Sequence, residues 1–283
     1  MKSVKDIYTL NNQTKIPCVG YGTWQMPNDD TGYQALLTAF EAGYSHIDTA
    51  EGYDNEETVG KAIKNSGIPR EEIFLTTKLG NKSHGYEETL LAFEASLERL
   101  QVSYVDLYLI HWPNPVYYRD HWEETIQSTW RAMEKLYMEG KIKAIGVSNF
   151  KIHHLEALLK TAKIIPAVNQ LRLCPGDVDS KLVQWCEDKG ILLQAYSPLG
   201  TGKVLQLEVV NNIAKKHNTS AAYIALAWSI QRGFQPLVKS VKPHRIIDNT
   251  KFFHVTLDEE DMNLLNQLNG CVGHADDPDT VPW

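Results

Sequence analysis

Eight short runs rich in β-branched and aromatic residues recur along this chain, each followed by a longer stretch of helical periodicity. No other feature restricts the fold as strongly. The runs are "CVGYGTW" (18–24), "SHIDTA" (45–50), "IFLTTKL" (73–79), "VDLYLIHW" (105–112), "IKAIGVSNF" (142–150), "AVNQLRL" (167–173), "ILLQAYSPL" (191–199) and "PLVKSV" (236–241). Between them, "YEETLLAFEASLERL" (86–100) places Leu90, Phe93, Leu97 and Leu100 on one stripe. "EETIQSTWRAMEKLYMEGK" (123–141) does the same with Ile126, Trp130, Met133 and Tyr137, and stops at Gly140. "YQALLTAFEAG" (33–43) follows the same rule, and further helical patterns cover 55–66, 151–162, 180–189, 204–217, 219–232 and 243–251. Strands alternating with helices imply parallel pairing through crossover helices, and eight such units fit a closed (β/α)8 TIM barrel better than an open sheet.

Two segments lie outside that repeat. "DIYTLNNQTKIPCV" reads as a β-hairpin turning at Asn11 and Asn12, placed to plug the N-terminal face of the barrel. "LDEEDMNLLNQLN" (257–269) reads as an extra C-terminal helix, followed by a tail rich in Gly, Pro and Asp. With no internal linker or low-complexity stretch, residues 1–283 are expected to form a single domain.

Composition removes several function classes. The chain has 28 basic and 35 acidic residues, a net charge of −7 without a basic tail, which argues against nucleic-acid binding. The four cysteines (Cys18, Cys174, Cys186, Cys271) form no C-x-x-C pair, and the ten histidines include no H-x-H or H-E-x-x-H spacing, so no metal site is expected. His153 and His154 are expected to open a solvated helix. There is no apolar leader in "MKSVKDIYTLNNQ" and no apolar run of membrane-spanning length, so the expected location is cytoplasmic, without membrane contact. No G-x-G-x-x-G occurs to signal a Rossmann fingerprint.

In a parallel barrel the chemistry sits where the strands end. The polar residues of this sequence fall there: Asp48, Lys78, His111, Ser148 with Asn149, Asn169 with Gln170, Tyr196 with Ser197, and Lys239 with Ser240. Each has a bland reading of its own, as a helix cap, a snorkelling lysine or a core histidine. Together, an Asp, a Tyr (Tyr53), a Lys and a His delivered to one barrel mouth suit proton donation to a carbonyl. A phenol with a pKa of about 10 is a weak acid near neutrality. An ammonium beside it is expected to lower that pKa, a carboxylate would balance the buried ammonium, and a neutral imidazole could orient the carbonyl oxygen.

The motifs "HIDTA..Y.NE..VG", "TTK", "DLYLIHWP", "IGVSNF", "VNQ" and "KS....R..DN", in this order, resemble those of the aldo-keto reductases, over essentially the whole chain including the tail "HADDPDTVPW". The resemblance is strongest to small microbial members, the 2,5-diketo-D-gluconate reductases and prostaglandin F synthase-like carbonyl reductases. It implies NADPH-dependent reduction of aldehydes and ketones to alcohols in a (β/α)8 barrel. It also implies that Tyr53 is the general acid, tuned by Lys78 and Asp48, and that His111 orients the substrate carbonyl. Ser148, Asn149 and Gln170 would hold the nicotinamide carboxamide, with Tyr196 stacked on its ring. Ser197, Leu199 and Thr201 would run along the pyrophosphate. Lys239, Ser240 and Arg245 would take the 2′-phosphate, and Asp248 and Asn249 the adenine. Gly22, Thr23 and Val241 are further implied cofactor contacts. Trp24 and Trp112 would wall the substrate pocket, Gly52 would leave a gap in it, and Trp283 would fold back over the mouth. A monomer or weak dimer is expected.

The chain departs from the family pattern where Arg172 and Cys174 follow "VNQ", which leaves local packing there open, and where the eighth strand reads "PLVKS". Short loops after Pro113 and Tyr196 imply an open mouth. Two other functions compete: a Schiff-base aldolase using Lys78 as nucleophile, and a cofactor-binding regulatory subunit of the same fold without turnover.

Overall fold

The eight runs become eight parallel strands that close on themselves. The computed structural model describes residues 1–283. The N-terminal hairpin pairs β1 (Ile7–Thr9) with β2 (Lys15–Pro17) in antiparallel register, Tyr8 opposite Ile16. The barrel strands are β3 (Gly20–Gly22), β4 (His46–Asp48), β5 (Phe74–Leu79), β6 (Val105–Ile110), β7 (Ile142–Ser148), β8 (Val168–Arg172), β9 (Leu192–Tyr196) and β10 (Gln235–Val238). They lie in chain order around the barrel, and β10 pairs with β3 to close it.

The register sets up the site. Gly22 lies opposite Asp48, Asp48 opposite Thr76, Lys78 opposite Leu109, and Ser148 opposite Gln170. The polar strand ends therefore arrive at one rim, as parallel pairing requires. At the other rim the hairpin acts as the expected plug. Leu10 and Ile16 are buried against Phe74, Leu107, Leu109, Ala144 and Val168. Asn11 Nδ2 donates to Pro166 O at 3.0 Å and Asn12 Nδ2 to Lys143 O at 2.9 Å, fixing the hairpin turn to strand-entry segments.

Ten helices surround the barrel: α1 (Asp30–Glu41), α2 (Glu56–Asn65), α3 (Tyr86–Leu100), α4 (Trp122–Met138), α5 (Ile152–Leu159), α6 (Ser180–Asp188), α7 (Glu208–Lys216), α8 (Ala221–Gln231), α9 (Pro243–Asp248) and α10 (Glu259–Asn266). Helix α3 has the bounds read from its apolar stripe. Gly60 lets α2 approach α3, because a Cβ there would lie 2.3 Å from Leu100 O. Helix α8 buries residues on every face; its Trp228 indole donates to Asn266 Oδ1 on α10 at 2.8 Å, so the extra C-terminal helix covers its outer side.

Several helices are shorter than their periodicity implies. The pattern over 204–217 breaks at Leu207, whose extended backbone separates a 3-10 turn (Val204–Gln206) from α7. Asn211 Nδ2 stabilises the break by donating to Leu205 O at 3.0 Å and Leu207 O at 2.9 Å. The helix expected over 257–269 starts late because Asp258 caps it, accepting from Asp261 N at 2.9 Å. Those over 151–162 and 243–251 end at Leu159 and Asp248. No helix is long and apolar enough to cross a membrane.

Candidate active site

Lys78 comes from the C-terminal end of β5 and is fully buried, which no lysine tolerates without partners. Its ammonium meets three acceptors, Asp48 Oδ1 at 2.6 Å, Thr49 O at 2.8 Å and Tyr53 Oη at 3.1 Å. Asp48 ends β4, and Tyr53 closes a short 3-10 turn (Glu51–Tyr53) that folds the chain back toward β5. The five-residue spacing thus brings both side chains to one ammonium. His111 follows β6 and stands edge-on to Tyr53, ring centroids 5.5 Å apart. The structure brings together all four residues of the sequence-derived group.

Their electrostatics differ from the sequence expectation in one respect. Burial pushes the Tyr53 phenol up, the Lys78 ammonium opposes it, Asp48 adds to the rise, and the net direction is upward rather than downward. The physical reason is the burial of the phenol, which the Lys78 ammonium does not overcome, with Asp48 adding to the rise. Burial works against the charge of Lys78, yet Asp48 and Tyr53 outweigh it and hold the lysine above its usual value. His111 is held well below the usual histidine value by burial first, then by Lys78 and His84. At neutral pH the site therefore presents a protonated phenol, an ammonium and a neutral imidazole.

Asn55, which the residue-by-residue reading did not single out, fastens this loop. Its side chain is buried, and Nδ2 donates to Thr23 O at 2.8 Å and Met26 O at 3.1 Å. Its Oδ1 accepts from Thr49 Oγ1 at 3.0 Å and Thr23 Oγ1 at 3.3 Å. The signal was present, since Asn55 stands at the start of α2 within the motif that contains Tyr53. Glu56 beside it is also buried and joins three elements, accepting from Thr77 Oγ1 at 2.5 Å, Ser96 Oγ at 3.2 Å and Arg99 Nε at 2.7 Å.

The residues assigned to the nicotinamide end form one connected patch beside the group. Asn149 takes a left-handed backbone (φ 62°), so its Nδ2 reaches His111 O at 3.0 Å while its Oδ1 accepts from Tyr196 Oη at 2.9 Å. Ser148 Oγ donates to Gln170 O at 3.0 Å, and Gln170 Nε2 donates to Asp48 Oδ2 at 2.8 Å. Thr23 is fully buried, its hydroxyl turned to Asn55, and Gly22 is half-buried beside it. Further out, Ser197 and Thr201 both have left-handed backbones (φ 48° and 54°), and Leu199 is half-buried between them.

At the far end Lys239 and Arg245 are exposed, and Lys239 Nζ reaches only a neutral acceptor, Gln25 O at 3.0 Å. Ser240 Oγ accepts from Lys242 N at 3.0 Å, Asp248 Oδ1 accepts from Tyr223 Oη at 2.8 Å, and Val241 and Asn249 are half-buried.

Around the mouth, Trp112 is nearly buried next to His111, and Trp283 packs edge-on against it with centroids 5.7 Å apart. Trp24 is half exposed at the end of β3. Gly52 opens to empty space, with no atom within 4 Å of where a Cβ would stand. The tail is tied down along its length. Val116 N donates to Trp283 O at 3.2 Å, and Arg119 Nη2 to Val281 O at 2.6 Å. Asn114 Nδ2 and His154 Nε2 meet Asp279 Oδ1 at 3.1 Å and 2.9 Å.

His154 is thus fully buried, contrary to the solvated pair expected of His153 and His154. Its Nδ1 accepts Lys151 N–H at 3.1 Å, which leaves the proton on Nε2 for Asp279, so the ring has no free lone pair for a metal. Arg172 resolves the departure after "VNQ". It pairs with Asp177 and donates to Val272 O and Gly273 O, both at 3.1 Å, joining the end of β8 to the start of the tail. Cys174 is buried beneath Gly200, and of the four free cysteines only Cys271 is exposed.

A closed parallel barrel with a Tyr–Lys–Asp–His group at its C-terminal rim defines a barrel oxidoreductase class. The comparisons with known proteins make the assignment specific. The family model described as "Aldo/keto reductase family" matches residues 18–270, and the chain belongs to that family. The glyoxal reductase of Bacillus subtilis is 47% identical over 279 residues, 99% of this chain and 98% of that protein. The crystal structure of MGS-M4, an aldo-keto reductase from a Medee basin deep-sea metagenome library, superposes with a TM-score of 0.92 at 44% identity, covering 98% of this chain and 100% of that one. A Gox0644 variant in complex with NADPH superposes with a TM-score of 0.91 at 35% identity, covering 99% of each chain.

Proposed function

We propose that this protein reduces aldehydes and ketones to alcohols using NADPH, with Tyr53 as the proton donor. The observation that carries the reading is the Lys78 ammonium bonded at once to Asp48 Oδ1 (2.6 Å) and Tyr53 Oη (3.1 Å). Such a junction keeps the lysine charged and aims a protonated phenol at the mouth. A nucleophilic lysine would have to be a free amine; the raised pKa of Lys78 therefore opposes a Schiff-base aldolase.

The donor set fits NADPH. Gln170 gives both N–H groups to the barrel interior, to Asp48 Oδ2 and to Gln194 Oε1, so its carbonyl oxygen is the group left for a carboxamide N–H. Ser148 and Asn149 would complete that contact, and Tyr196, half-buried beside them, offers a ring face. Exposed Lys239 and Arg245 suit a dianionic phosphate, which charge-assisted bonds would distinguish from a ribose hydroxyl. The NADPH-bound Gox0644 structure, similar over the whole chain, supports the same cofactor. When bound, the dihydronicotinamide supplies the hydride.

The chain's own part is proton delivery and orientation. Neutral His111 donates an N–H to the substrate carbonyl oxygen and holds it near Tyr53 Oη. The phenol passes its proton to that oxygen as negative charge develops, and Lys78, 3.1 Å away, stabilises the phenolate left behind. Trp24, Trp112 and Trp283 provide apolar walls. The decisive experiment is Tyr53→Phe, followed by NADPH absorbance with a small aldehyde. Reduction should fall by about 10²–10⁴-fold while NADP⁺ still binds; wild-type turnover in this variant rules the assignment out.

A further inference from the structure

Below the catalytic group the barrel interior holds a second polar array. Gln170 Nε2 donates to Gln194 Oε1 at 3.0 Å, and Gln194 Nε2 to Gln235 Oε1 at 2.6 Å. These residues are register partners on β8, β9 and β10. Gln235 Nε2 meets Pro17 O and lies 3.0 Å from His46 Nδ1, while His46 Nε2 lies 2.9 Å from Thr76 Oγ1. His46 and Asp48 both belong to β4, and Asp48 accepts from the same Gln170 amide. The hydrogen bonds therefore run from Asp48 through Gln170, Gln194 and Gln235 to His46, and the backbone of β4 joins His46 to Asp48 to complete the belt. All five side chains are buried. Gly20 lets the belt close: on β3, between β10 and β4, a Cβ would lie 2.6 Å from His46 Nδ1.

The belt has one self-consistent polarity. Asp48 as a carboxylate can only accept, so Gln170 must turn its NH₂ toward it. Pro17 O can only accept, so Gln235 must turn its NH₂ toward that carbonyl. Gln194 between them then has no choice: its oxygen faces Gln170 and its NH₂ faces Gln235, since the flipped amide would set N–H against N–H and O against O. His46 accepts at Nδ1, carries its proton on Nε2 and stays neutral, its pKa lowered to about 3 by burial and by Lys78. Donation runs in one direction from Gln170 to Thr76, an arrangement in which each bond polarises the next.

We propose that Gln194, Gln235 and His46 are positioning residues that act through Gln170. By taking up its second N–H, they lock its carbonyl oxygen toward the carboxamide of the cofactor and keep Asp48 turned to Lys78. The inference rests on the reading of Gln170 as a nicotinamide contact.

The test compares NADP⁺ with 2′,5′-ADP, which keeps the phosphate and adenine but lacks the nicotinamide. Gln194→Met preserves volume and removes both bonds; the Kd for NADP⁺ should rise about five- to tenfold, the worth of one hydrogen bond, while that for 2′,5′-ADP stays unchanged. Gln194→Glu guards against a misfolded Met variant and adds a readout that a packing role would not move. Protonated, the introduced carboxyl group can accept from Gln170 and donate to Gln235 as the amide does; ionised, it cannot donate. Asp48 and His46 are linked to it through Gln170 and Gln235, and Lys78 lies beyond Asp48, so burial and Asp48 raise its pKa while Lys78 opposes. NADP⁺ affinity of this variant should be near wild type at pH 5.5 and fall several-fold by pH 8.5, with 2′,5′-ADP affinity matching wild type at both. Equal weakening of both ligands, or no weakening of either, overturns the proposal. Wild-type protein that binds 2′,5′-ADP and NADP⁺ equally overturns the nicotinamide reading itself, and the proposal with it.

Discussion

Lys78 Nζ and Tyr53 Oη lie 3.1 Å apart, and the same ammonium lies 2.6 Å from Asp48. Burial holds the phenol up against the pull of the ammonium, and the closer carboxylate adds to the rise, so the phenol keeps its proton and is not poised as a phenolate. In the proposed role of acid, Tyr53 would be made effective by where its product charge falls, beside Lys78, rather than by a lowered starting pKa.

Asp48→Asn tests that division of labour. It leaves a buried ammonium with only neutral oxygens and places an amide NH₂ or oxygen against Gln170. Breaking a buried ion pair in this way costs about 3–5 kcal/mol, so urea unfolding should show a clear loss of stability. Burial, then opposed only by Tyr53, would lower the Lys78 pKa, and carbonyl reduction should fall at least 100-fold by the scale of acid–base catalysis. Unchanged stability together with unchanged turnover would remove Asp48 from the site.

The pH–rate profile follows from the directions of the shifts. Tyr53 is raised above its ordinary value of about 10, so the donor stays loaded throughout the neutral range and is lost only as pH rises through that raised value. His111 is lowered well below 6.5, so its neutral form persists and no inflection should appear there. Single-turnover reduction should be level from about pH 6 to 10 and decline beyond. A steep loss between pH 6 and 7 that disappears in His111→Asn would show that the imidazolium, not the imidazole, orients the substrate.

The barrel was legible because periodicity is a property of sequence: the strand ends at Asp48, Lys78 and His111 could be placed before any contact was known. The helix break at Leu207 was not, because it depends on Asn211 turning back onto two carbonyls, a choice that apolar spacing does not record. The belt was half visible. The motif marks Gln170 as a cofactor contact, but its amide orientation depends on Gln194, Gln235 and His46 on three other strands, and only closure brings them within reach. The burial of His154 is hidden in the sequence for the same reason, since Asp279, which buries its ring with the tail, lies 125 residues away. The upward shift of Tyr53 depends first on its burial, which only the fold creates, and then on Lys78 and Asp48, which push in opposite directions.

Cofactor choice is testable at Arg245, which stands exposed in α9 beyond Lys239. Arg245→Ala removes a charged donor that only a 2′-phosphate can use fully. The loss of one charge-assisted bond, about 1.5–3 kcal/mol, corresponds to roughly a 10- to 150-fold rise in the NADPH KM. The NADH KM should hardly change. Steady-state titrations with both cofactors decide it, and equal effects would place the phosphate elsewhere.

The tail offers a different kind of control. Trp283 reaches the mouth by packing edge-on against Trp112, and its main chain is held by Val116 N–H. Deleting residues 274–283 removes this wall and also unpairs His154 from Asp279 and Lys151 from Asp277. Trp283→Ala removes the wall alone. If Trp283 walls the pocket, bulky apolar ketones would use it for binding in ground state and transition state alike, so their KM should rise with kcat little altered. A two-carbon aldehyde, too small to reach Trp283, should keep both constants. Burying one indole edge less completely is worth about 1–2 kcal/mol, or roughly 5- to 30-fold in KM for the bulky substrates. If the panel responds uniformly to Trp283→Ala, or not at all, the tail is an anchor for α5 through His154 and takes no part in selecting the carbonyl.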